Sequence, residues 1–324
     1  MARIEEKRKK KKGFGIGKFL IIVVVLALVL AGGKVLIEKY GLLGLVGGDI
    51  MDDITPIAGG DSDFSREFPD SKRVNILFLG TNSGLSDTMM VFSFDTELKR
   101  VDEISVPRDT YYERPNFPGA AYQKINSVYE TEGFQGCAQA VSNVLGGVPI
   151  HFYAQITDEG VAHVVDAMGG IEMNVPMDMN YEDPAQNLYI HLTAGPQVLD
   201  GAHAVQYLRF RSGYPTADLG RVNAQQEFLK EAFKQSVGFG FPKVAAAAAK
   251  EVTSDITPRM AVRIGSEAAG MSAESFAAWT IPGVPNMMNG ASYYVSDRAA
   301  TAEMMRQIYS MTAEQDAETG EKDG

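Results

Sequence analysis

Three arginines lie close together between residues 209 and 221, and arginine is the side chain best suited to hold phosphate. Arg209 and Arg211 are two residues apart, so an extended backbone would put both guanidiniums on one face. Arg221 and Gln225 are four apart, so a helix would also put them on one face. Guanidinium groups bind phosphate through paired hydrogen bonds, and a row of them suits a pyrophosphate. The competing interpretation is a set of solvated arginines paired with carboxylates such as Asp218.

Three further polar clusters follow predicted strands, where α/β proteins place their sites. Asp87 is the one carboxylate between Gly80 and Thr88, and it is a candidate Mg²⁺ ligand because hard cations take oxygen donors. A turn or strand-start cap is the alternative role. Arg108 precedes Asp109 directly, so the pair either binds phosphate, with Asp109 orienting Arg108, or forms a structural ion pair. Lys124 stands at a predicted helix start, where its ammonium either reaches a phosphate or remains solvated.

Charge is spread unevenly along the 324 residues, which carry a formal net charge of −11. Residues 1–18 contain eight Lys or Arg and two Glu, a net charge of +6, so the remaining residues carry −17. An acidic main part argues against a nucleic-acid partner, which requires a basic face. The single cysteine, Cys137, excludes an intramolecular disulfide and a cysteine-based zinc site. Its apolar, helix-like surroundings predict a buried core thiol.

The N-terminal region predicts a membrane anchor. A basic run, Lys7–Lys12, precedes the uncharged segment 19–33, and apolar residues continue to Ile37 beyond Lys34. The uncharged segment is shorter than the roughly 20 residues of a spanning helix, but lysines at its two ends can reach the membrane surface. A cleaved signal peptide is the alternative. We expect a transmembrane anchor at 19–37 in the cell membrane, a single pass with the basic tail 1–18 in the cytoplasm and the rest outside.

The remaining chain divides into a stalk or linker at 41–72, a folded domain at 73–311 and an acidic disordered tail at 312–324. Hydrophobic patterns predict strands at 74–79, 88–94, 101–107, 152–156, 171–175, 276–281 and 292–295. They predict helices at 127–132, 136–145, 158–168 with Asp158 as the cap, 200–208, 219–237, 243–250, 258–269 and 297–311. Strands that alternate with helices indicate an α/β domain, with a central mixed β-sheet sandwiched by helices.

The motifs SDTMM, SVPRDT, KIN, DAMGGIEMNVP, LTAGPQVLDGAHAVQYLRFR and DLGRVNAQQ occur in this order between Val74 and Gln235. Together they resemble the LytR–CpsA–Psr family. The resemblance implies an extracytoplasmic phosphotransferase, with a glycopolymer such as teichoic acid or capsular polysaccharide as its cargo. The polymer would pass from a polyprenyl-pyrophosphate carrier to peptidoglycan, with Mg²⁺ as the cofactor. The family's fold, a sheet between helices with an apolar tunnel for the lipid, is the expected fold.

The resemblance also assigns roles residue by residue. Asp87 matches the second of two metal-binding aspartates, and Arg108 and Asp109 match the PRD motif. Lys124 matches the lysine of KIN. Pyrophosphate binding falls to the positions of the RFR and GR-xxx-Q motifs, which are Arg209, Arg211, Arg221 and Gln225, with Asp218 as the acid before them. Either Asp218 or Asp109 would accept the proton of the acceptor hydroxyl.

Three positions depart from the family's pattern: Asn82 replaces the first metal aspartate, and Leu85 and Ala224 replace arginines. Asn82 is a neutral oxygen donor, so the metal site loses one negative charge and we expect weaker Mg²⁺ binding. Two arginines fewer leave fewer partners for the diphosphate. A non-catalytic or weakly active polyprenyl-phosphate-binding protein of cell-wall assembly is therefore the alternative function.

The predicted topology can be tested by proteolysis. Protease added to intact cells stripped of their wall should digest the domain and spare a tag at the N-terminus, because the basic tail would be held in the cytoplasm. Immunoblots against both ends of the chain report the outcome, with lysed cells as the control. Loss of the N-terminal tag from intact cells would reverse the orientation.

Overall fold

A mixed six-stranded sheet forms the centre of the domain. The structure is a computed structural model that describes residues 49–82, 84–184, 188–211, 213–214, 251–267 and 276–311, and individual positions between 221 and 250. Its strands are β1 (Arg73–Asn82), β2 (Leu85–Asp95), β3 (Arg100–Ser105), β4 (Phe152–Thr157), β5 (Ile171–Val175), β6 (Met179–Asp183), β7 (Leu188–Leu192), β8 (Gly195–Leu199), β9 (Thr253–Ser254), β10 (Phe276–Thr280), β11 (Gly283–Met288) and β12 (Ala291–Ser296). The central sheet has the order β10-β3-β2-β1-β4-β9.

Strand pairing places β1 in the middle of the sheet. It pairs antiparallel with β2 and parallel with β4, while β3 pairs antiparallel with β2 and parallel with β10. Alternate residues of β1 point to opposite faces, and both faces are buried: Ile76 and Phe78 pack into one core cluster, and Leu77 and Leu79 into another. The predicted mixed sheet is confirmed, and burial on both faces explains why β1 reads as a continuous apolar run.

Helices cover the sheet. They are α1 (Asp63–Glu67), α2 (Val128–Val144), α3 (Asp158–Met168), α4 (Gly201–Arg209), α5 (Pro258–Glu267) and α6 (Arg298–Tyr309). The two helices predicted on either side of residue 133 are confirmed, because α2 is interrupted at Gly133, whose backbone is non-helical with φ of 62°. Most described positions between 221 and 250 are also helical. Three two-stranded antiparallel sheets, β5–β8, β6–β7 and β11–β12, lie outside the central sheet.

The start of α3 differs from the prediction. Thr157, not Asp158, is the N-cap residue, because the Thr157 hydroxyl accepts from the Gly160 amide at 3.1 Å. Asp158 is the first helical residue, so its carboxylate is not used for capping. The predicted stop at Gly169 is confirmed, since this residue adopts the left-handed conformation with φ of 90°.

The boundary predicted between stalk and domain at Arg73 is wrong for residues 49–72. Ile50, Ala58 and Phe64 are buried in the two core clusters. Ala58 forms a β-bridge with Ile150, and the Phe64 ring packs edge-on against Tyr309 at 4.8 Å. These apolar residues are irregularly spaced and dock in different places, so they produce no periodic pattern. The folded domain therefore begins at least as early as Ile50.

Other parts of the predicted organisation lie outside the described residues. They are the basic tail 1–18, the anchor 19–37, the first part of the stalk to residue 48 and the acidic tail 312–324, and they stay predictions. Within the part of the chain that the structure describes, no helix has both the length and the apolarity needed to cross a membrane.

A buried carboxylate joins the two ends of the domain. Asp102 is fully buried and contacts Arg73 at 2.8 Å, Arg100 at 2.9 Å and the Trp279 ring nitrogen at 2.9 Å. Arg73 also donates to the Ile308 carbonyl at 2.9 Å. The first residue of β1 is thereby fixed to the last helix.

The revised boundary predicts a cost for removing Phe64. Phe64→Ala should lower the free energy of unfolding by about 3–5 kcal/mol, because a buried ring is replaced by a cavity. Urea denaturation followed by circular dichroism measures the change, with Val284→Ala at a position 63% exposed as the control. If the two variants lose equally little stability, residues 49–72 act as a linker.

Candidate functional site

A cavity opens on the face of the sheet that α3 and α4 cover. The space among its lining residues is about 1120 Å³, a volume that includes open solvent at the mouth. One end is polar and contains Asp87, Thr88, Arg108, Thr157, Asp158, Arg209, Arg211, Arg221 and Gln225. The rest is apolar and is formed by Phe78, Met90, Ile156, Val161, Val164, Val165, Met168, Ile171, Leu188, Leu208 and Phe228. The cavity therefore suits a ligand with an anionic head and a hydrocarbon tail.

Four arginines from three parts of the chain line the polar end. Arg108 follows β3, Arg209 is the last residue of α4, and Arg221 is a buried helical position. Arg209 and Arg211 do not form the extended pair that the sequence suggested, because Arg209 is still helical and only Phe210 between them is extended. Both nonetheless line the cavity, so the predicted arginine cluster is present although its backbone differs.

Arg108 is held between two carboxylates. Its Nη1 donates to Oδ1 of Asp87, and its Nε lies 3.7 Å from Oδ1 of Asp109. Asp87 belongs to β2, whose antiparallel pairing with β1 directs it to the cavity end of the sheet. Both interpretations of the Arg108–Asp109 sequence pair are compatible with this arrangement, since Arg108 is ion-paired and also lines the cavity.

Asp109 and Lys124 lie beside the cavity, and neither is among the residues that line it. Lys124 Nζ contacts Asp109 Oδ1 at 2.9 Å, and both side chains are about one quarter exposed. The Tyr293 ring lies 6.0 Å from Lys124 Nζ. Lys124, Asp109 and Arg108 therefore form a chain of charges that leads from the protein surface to Asp87.

Asp158 is a site residue that sequence reasoning missed. Asn82, the last residue of β1, donates from Nδ2 to Asp158 Oδ2, and Arg209 Nε lies 3.5 Å from the same oxygen. Burial raises the pKa of the Asp158 carboxyl, the Asn82 hydrogen bond and Arg209 oppose this, and the negative charge of Asp87 raises it further. The sequence feature that could have identified Asp158 is its position directly after the carboxyl end of a sheet strand, where α/β proteins place their sites.

Arg221 and Gln225 lie on one face of a helical segment, as predicted, and both line the cavity. The Gln225 amide donates to the Leu208 carbonyl at 3.1 Å. Because Leu208 precedes Arg209 in the last turn of α4, this bond holds the Arg209 end of α4 against the helical segment. Ala224 is buried beside them. Asp218, predicted as a catalytic acid, lies outside the described residues.

The donor atoms at the polar end fit a hard divalent cation. Asp87 and Asp158 offer carboxylate oxygens and Asn82 an amide oxygen, which are the ligand types that Mg²⁺ takes. No cluster of three or more His, Cys, Asp or Glu with metal-binding geometry occurs among the residues that the structure describes. Two carboxylates with water and phosphate oxygens make up a usual Mg²⁺ shell.

The fold and the cavity define a mixed α/β domain built around an arginine-rich anion site that opens into a hydrocarbon-lined space. The chain belongs to the LytR_cpsA_psr family, whose model matches residues 57–309. The match confirms the resemblance seen in the motifs, and it includes residues 57–72 of the predicted stalk.

Curated relatives carry teichoic acid transferase names. The polyisoprenyl-teichoic acid–peptidoglycan teichoic acid transferase TagU of Bacillus cereus is 30% identical over 206 residues, which cover 61% of this chain and 65% of TagU. TagV of Bacillus subtilis, with the same transferase name, is 29% identical over 181 residues, 53% of this chain and 46% of TagV. The chain thus spans less than two thirds of the length of these relatives.

Solved structures share the fold. The crystal structure of Bacillus subtilis TagV has a TM-score of 0.59 at 24% identity, with 73% of this chain and 95% of that chain covered. A structure of TagT bound to LI-WTA has a TM-score of 0.56 at 19% identity, with 74% and 90% covered. These likenesses confirm the mixed sheet with flanking helices.

The arginine cluster predicts the behaviour of a double variant. We expect polyprenyl-pyrophosphate lipids to co-purify with the wild-type protein and to be lost from Arg209→Ala with Arg211→Ala, because each charge-assisted hydrogen bond contributes about 1.5–3 kcal/mol. Mass spectrometry of lipids extracted from the purified protein gives the ratio. Arg259→Ala is the control, since Arg259 is exposed and pairs with Asp53 away from the cavity. Equal lipid retention in a folded double variant would remove these arginines from the phosphate site.

Proposed function

We propose that the protein is an extracytoplasmic phosphotransferase that attaches a glycopolymer from a polyprenyl-pyrophosphate carrier to peptidoglycan. The transferase names of its relatives support the reaction class. The observation that carries the proposal is the composition of the cavity, since four arginines and eleven apolar side chains line the same space. A polyprenyl diphosphate likewise combines an anionic head group with a hydrocarbon chain.

Charge at the polar end supports a diphosphate rather than a carboxylate. The four arginines exceed the two carboxylates, Asp87 and Asp158, by two positive charges. A diphosphate bridging two groups carries two negative charges at neutral pH, so it would neutralise this excess. Arginine forks can engage both phosphates through paired hydrogen bonds.

The reaction proceeds at the phosphorus that bears the sugar. A hydroxyl oxygen of peptidoglycan attacks this phosphorus, a new P–O bond forms, and the bond to the second phosphate breaks. Polyprenyl phosphate leaves with that bond's electron pair. The arginines bind the non-bridging oxygens, where charge is held during transfer, and fixed cations at such positions are the main catalytic device in phosphoryl transfer.

The hydroxyl proton passes to a carboxylate, for which Asp109 and Asp218 are the candidates from the motifs. Asp109 is compatible with this role because it lies beside the cavity in contact with Lys124 and near Arg108. Mg²⁺, when bound at Asp87 and its neighbours Asn82 and Asp158, would neutralise charge on the transferring group. Lys124 would attract the anionic substrate towards the mouth of the cavity.

The proposed place of this reaction is the outer face of the cell membrane. A single-pass anchor at 19–37 would keep the domain beside the bilayer that holds its lipid substrate. The acceptor, peptidoglycan, lies on the same side under this topology.

A second candidate function is a non-catalytic protein that captures polyprenyl phosphates during cell-wall assembly. The observation in its favour is Asn82, whose side-chain amide donates to Asp158 where the family's pattern has a metal-binding aspartate. A site with weakened metal binding would hold the lipid without turning it over.

A transfer assay separates the two candidates. Full-length protein in detergent is mixed with Mg²⁺, a radiolabelled polyprenyl-pyrophosphate-linked glycan and peptidoglycan. The proposal predicts label in the insoluble wall fraction and an equal amount of polyprenyl phosphate. Arg221→Ala should reduce the rate about 100-fold or more, because it removes a buried guanidinium aimed at the diphosphate; Arg259→Ala should not.

Each outcome of the assay has one meaning. Transfer by the wild type and loss in Arg221→Ala support the phosphotransferase. Lipid binding without transfer under any Mg²⁺ concentration supports the capture protein. Failure to bind the lipid would eliminate both functions.

A further inference from the structure

The two carboxylates of the polar end are both paired with arginines. Asp87 accepts from Arg108, and Asp158 lies 3.5 Å from Arg209. All four side chains are between 17% and 32% exposed. At such partial burial, two facing carboxylates would repel each other strongly, and each arginine offsets that repulsion. Each carboxylate of the polar end therefore has an arginine as its counter-charge.

A diphosphate would compete for these arginines. A phosphate group offers a guanidinium several charged oxygens, whereas the Arg209–Asp158 contact is a single one at 3.5 Å. When Arg108 and Arg209 turn to phosphate, Asp87 and Asp158 lose their counter-charges in the same cavity. A divalent cation is the partner that restores the balance, and it can bridge the carboxylates to phosphate oxygens.

The position of Asp158 supplies the charge that Asn82 lacks. Asn82 Nδ2 and Asp158 Oδ2 are hydrogen-bonded, so a carboxylate at either residue reaches the same part of the cavity. The contacts of Asn82 and Arg209 both fall on Asp158 Oδ2, and a cation would be bound through Oδ1. Asp87 and Asp158 line the same cavity, and the negative charge of Asp87 raises the pKa of the Asp158 carboxyl.

We propose that Asp158 is a cation ligand of this site and takes the place of a carboxylate at position 82. Diphosphate and divalent cation then bind cooperatively, because the diphosphate first releases Asp87 and Asp158 from their arginines. The inference rests on the proposed function, since it needs a diphosphate in the cavity. It differs from the expectation drawn from Asn82 alone, because the site retains two carboxylates and its Mg²⁺ affinity need not be weak.

The experiment measures the binding of geranyl diphosphate, a short isoprenyl diphosphate, to the full-length protein with and without Mg²⁺. Equilibrium dialysis with radiolabelled probe gives the two dissociation constants, and their ratio reports the coupling. Complexes of Mg²⁺ with the probe in solution affect all variants equally, so comparison between variants cancels them. The variants are Asp158→Asn, Asp158→Ser, Asn82→Asp with Asp158→Asn, and the control Glu159→Gln.

Glu159 is a matched control because it is the next residue in the first turn of α3, is exposed, and does not line the cavity. Its replacement removes the same charge from the same helix end. We expect wild type and Glu159→Gln to bind the probe more tightly with Mg²⁺. In Asp158→Asn and Asp158→Ser, the ratio of the dissociation constants without and with Mg²⁺ should fall about tenfold or more. This is the low end of what a supporting residue contributes at metal sites. The exchange variant, with Asp at 82 and Asn at 158, should regain the wild-type ratio.

The possible results separate the two proposals. An unchanged Mg²⁺ ratio in folded Asp158→Asn and Asp158→Ser overturns the ligand role, while probe binding still supports the proposed function. The ligand role is also overturned if the Asp158 variants bind the probe more weakly without Mg²⁺ and the exchange variant does not recover. Asp158 would then be a residue that positions Arg209. If wild type does not bind the probe under either condition, the diphosphate site fails and this inference fails with it.

Discussion

The site depends on one electrostatic constraint. Four guanidinium groups lie at one end of a cavity, and the repulsion between their positive charges must be offset. Asp87 and Asp158 meet this constraint by pairing with Arg108 and Arg209. Neither pair is expected to contribute much to folding stability, because partly exposed ion pairs typically contribute about 0–1 kcal/mol. Their effect is on charge, since each carboxylate offsets part of the repulsion among the arginines.

Strand β1 positions the two carboxylates through its pairing with neighbouring strands. It pairs with β2, which carries Asp87, and with β4, which leads directly into α3 and Asp158. Its own last residue, Asn82, contacts Asp158. Asp87 lies in one neighbour of this central strand and Asp158 begins the helix that follows the other, so sheet pairing places both carboxylates at the same end of the sheet. The apolar part of the cavity lies against the same face of the sheet. One sheet face would therefore contact both the head group and the hydrocarbon tail of an amphiphilic ligand.

Sequence reasoning succeeded where a local pattern reports a local structure. Apolar runs identified β1 to β4, and the four-residue spacing of Arg221 and Gln225 placed them on one helical face. Ordered motifs identified the family and four cavity arginines. It failed for residues 49–72, because Ile50 and Phe64 dock singly and leave no period. It also failed for Asp158, because a carboxylate in a first helical turn resembles a cap, and only the fold shows what it faces.

The buried contacts of Asp102 bear on the order in which the chain can fold. Arg73 stands at the start of β1, and its partners include the Ile308 carbonyl, 235 residues further on. Trp279, which also binds Asp102, is 177 residues away from it. A buried arginine or aspartate without its partners is costly, so β1 cannot reach its native environment while the last helix is still being made. Because these contacts join segments far apart in the sequence, we expect the chain to gain them late, once its last helix is available to Arg73.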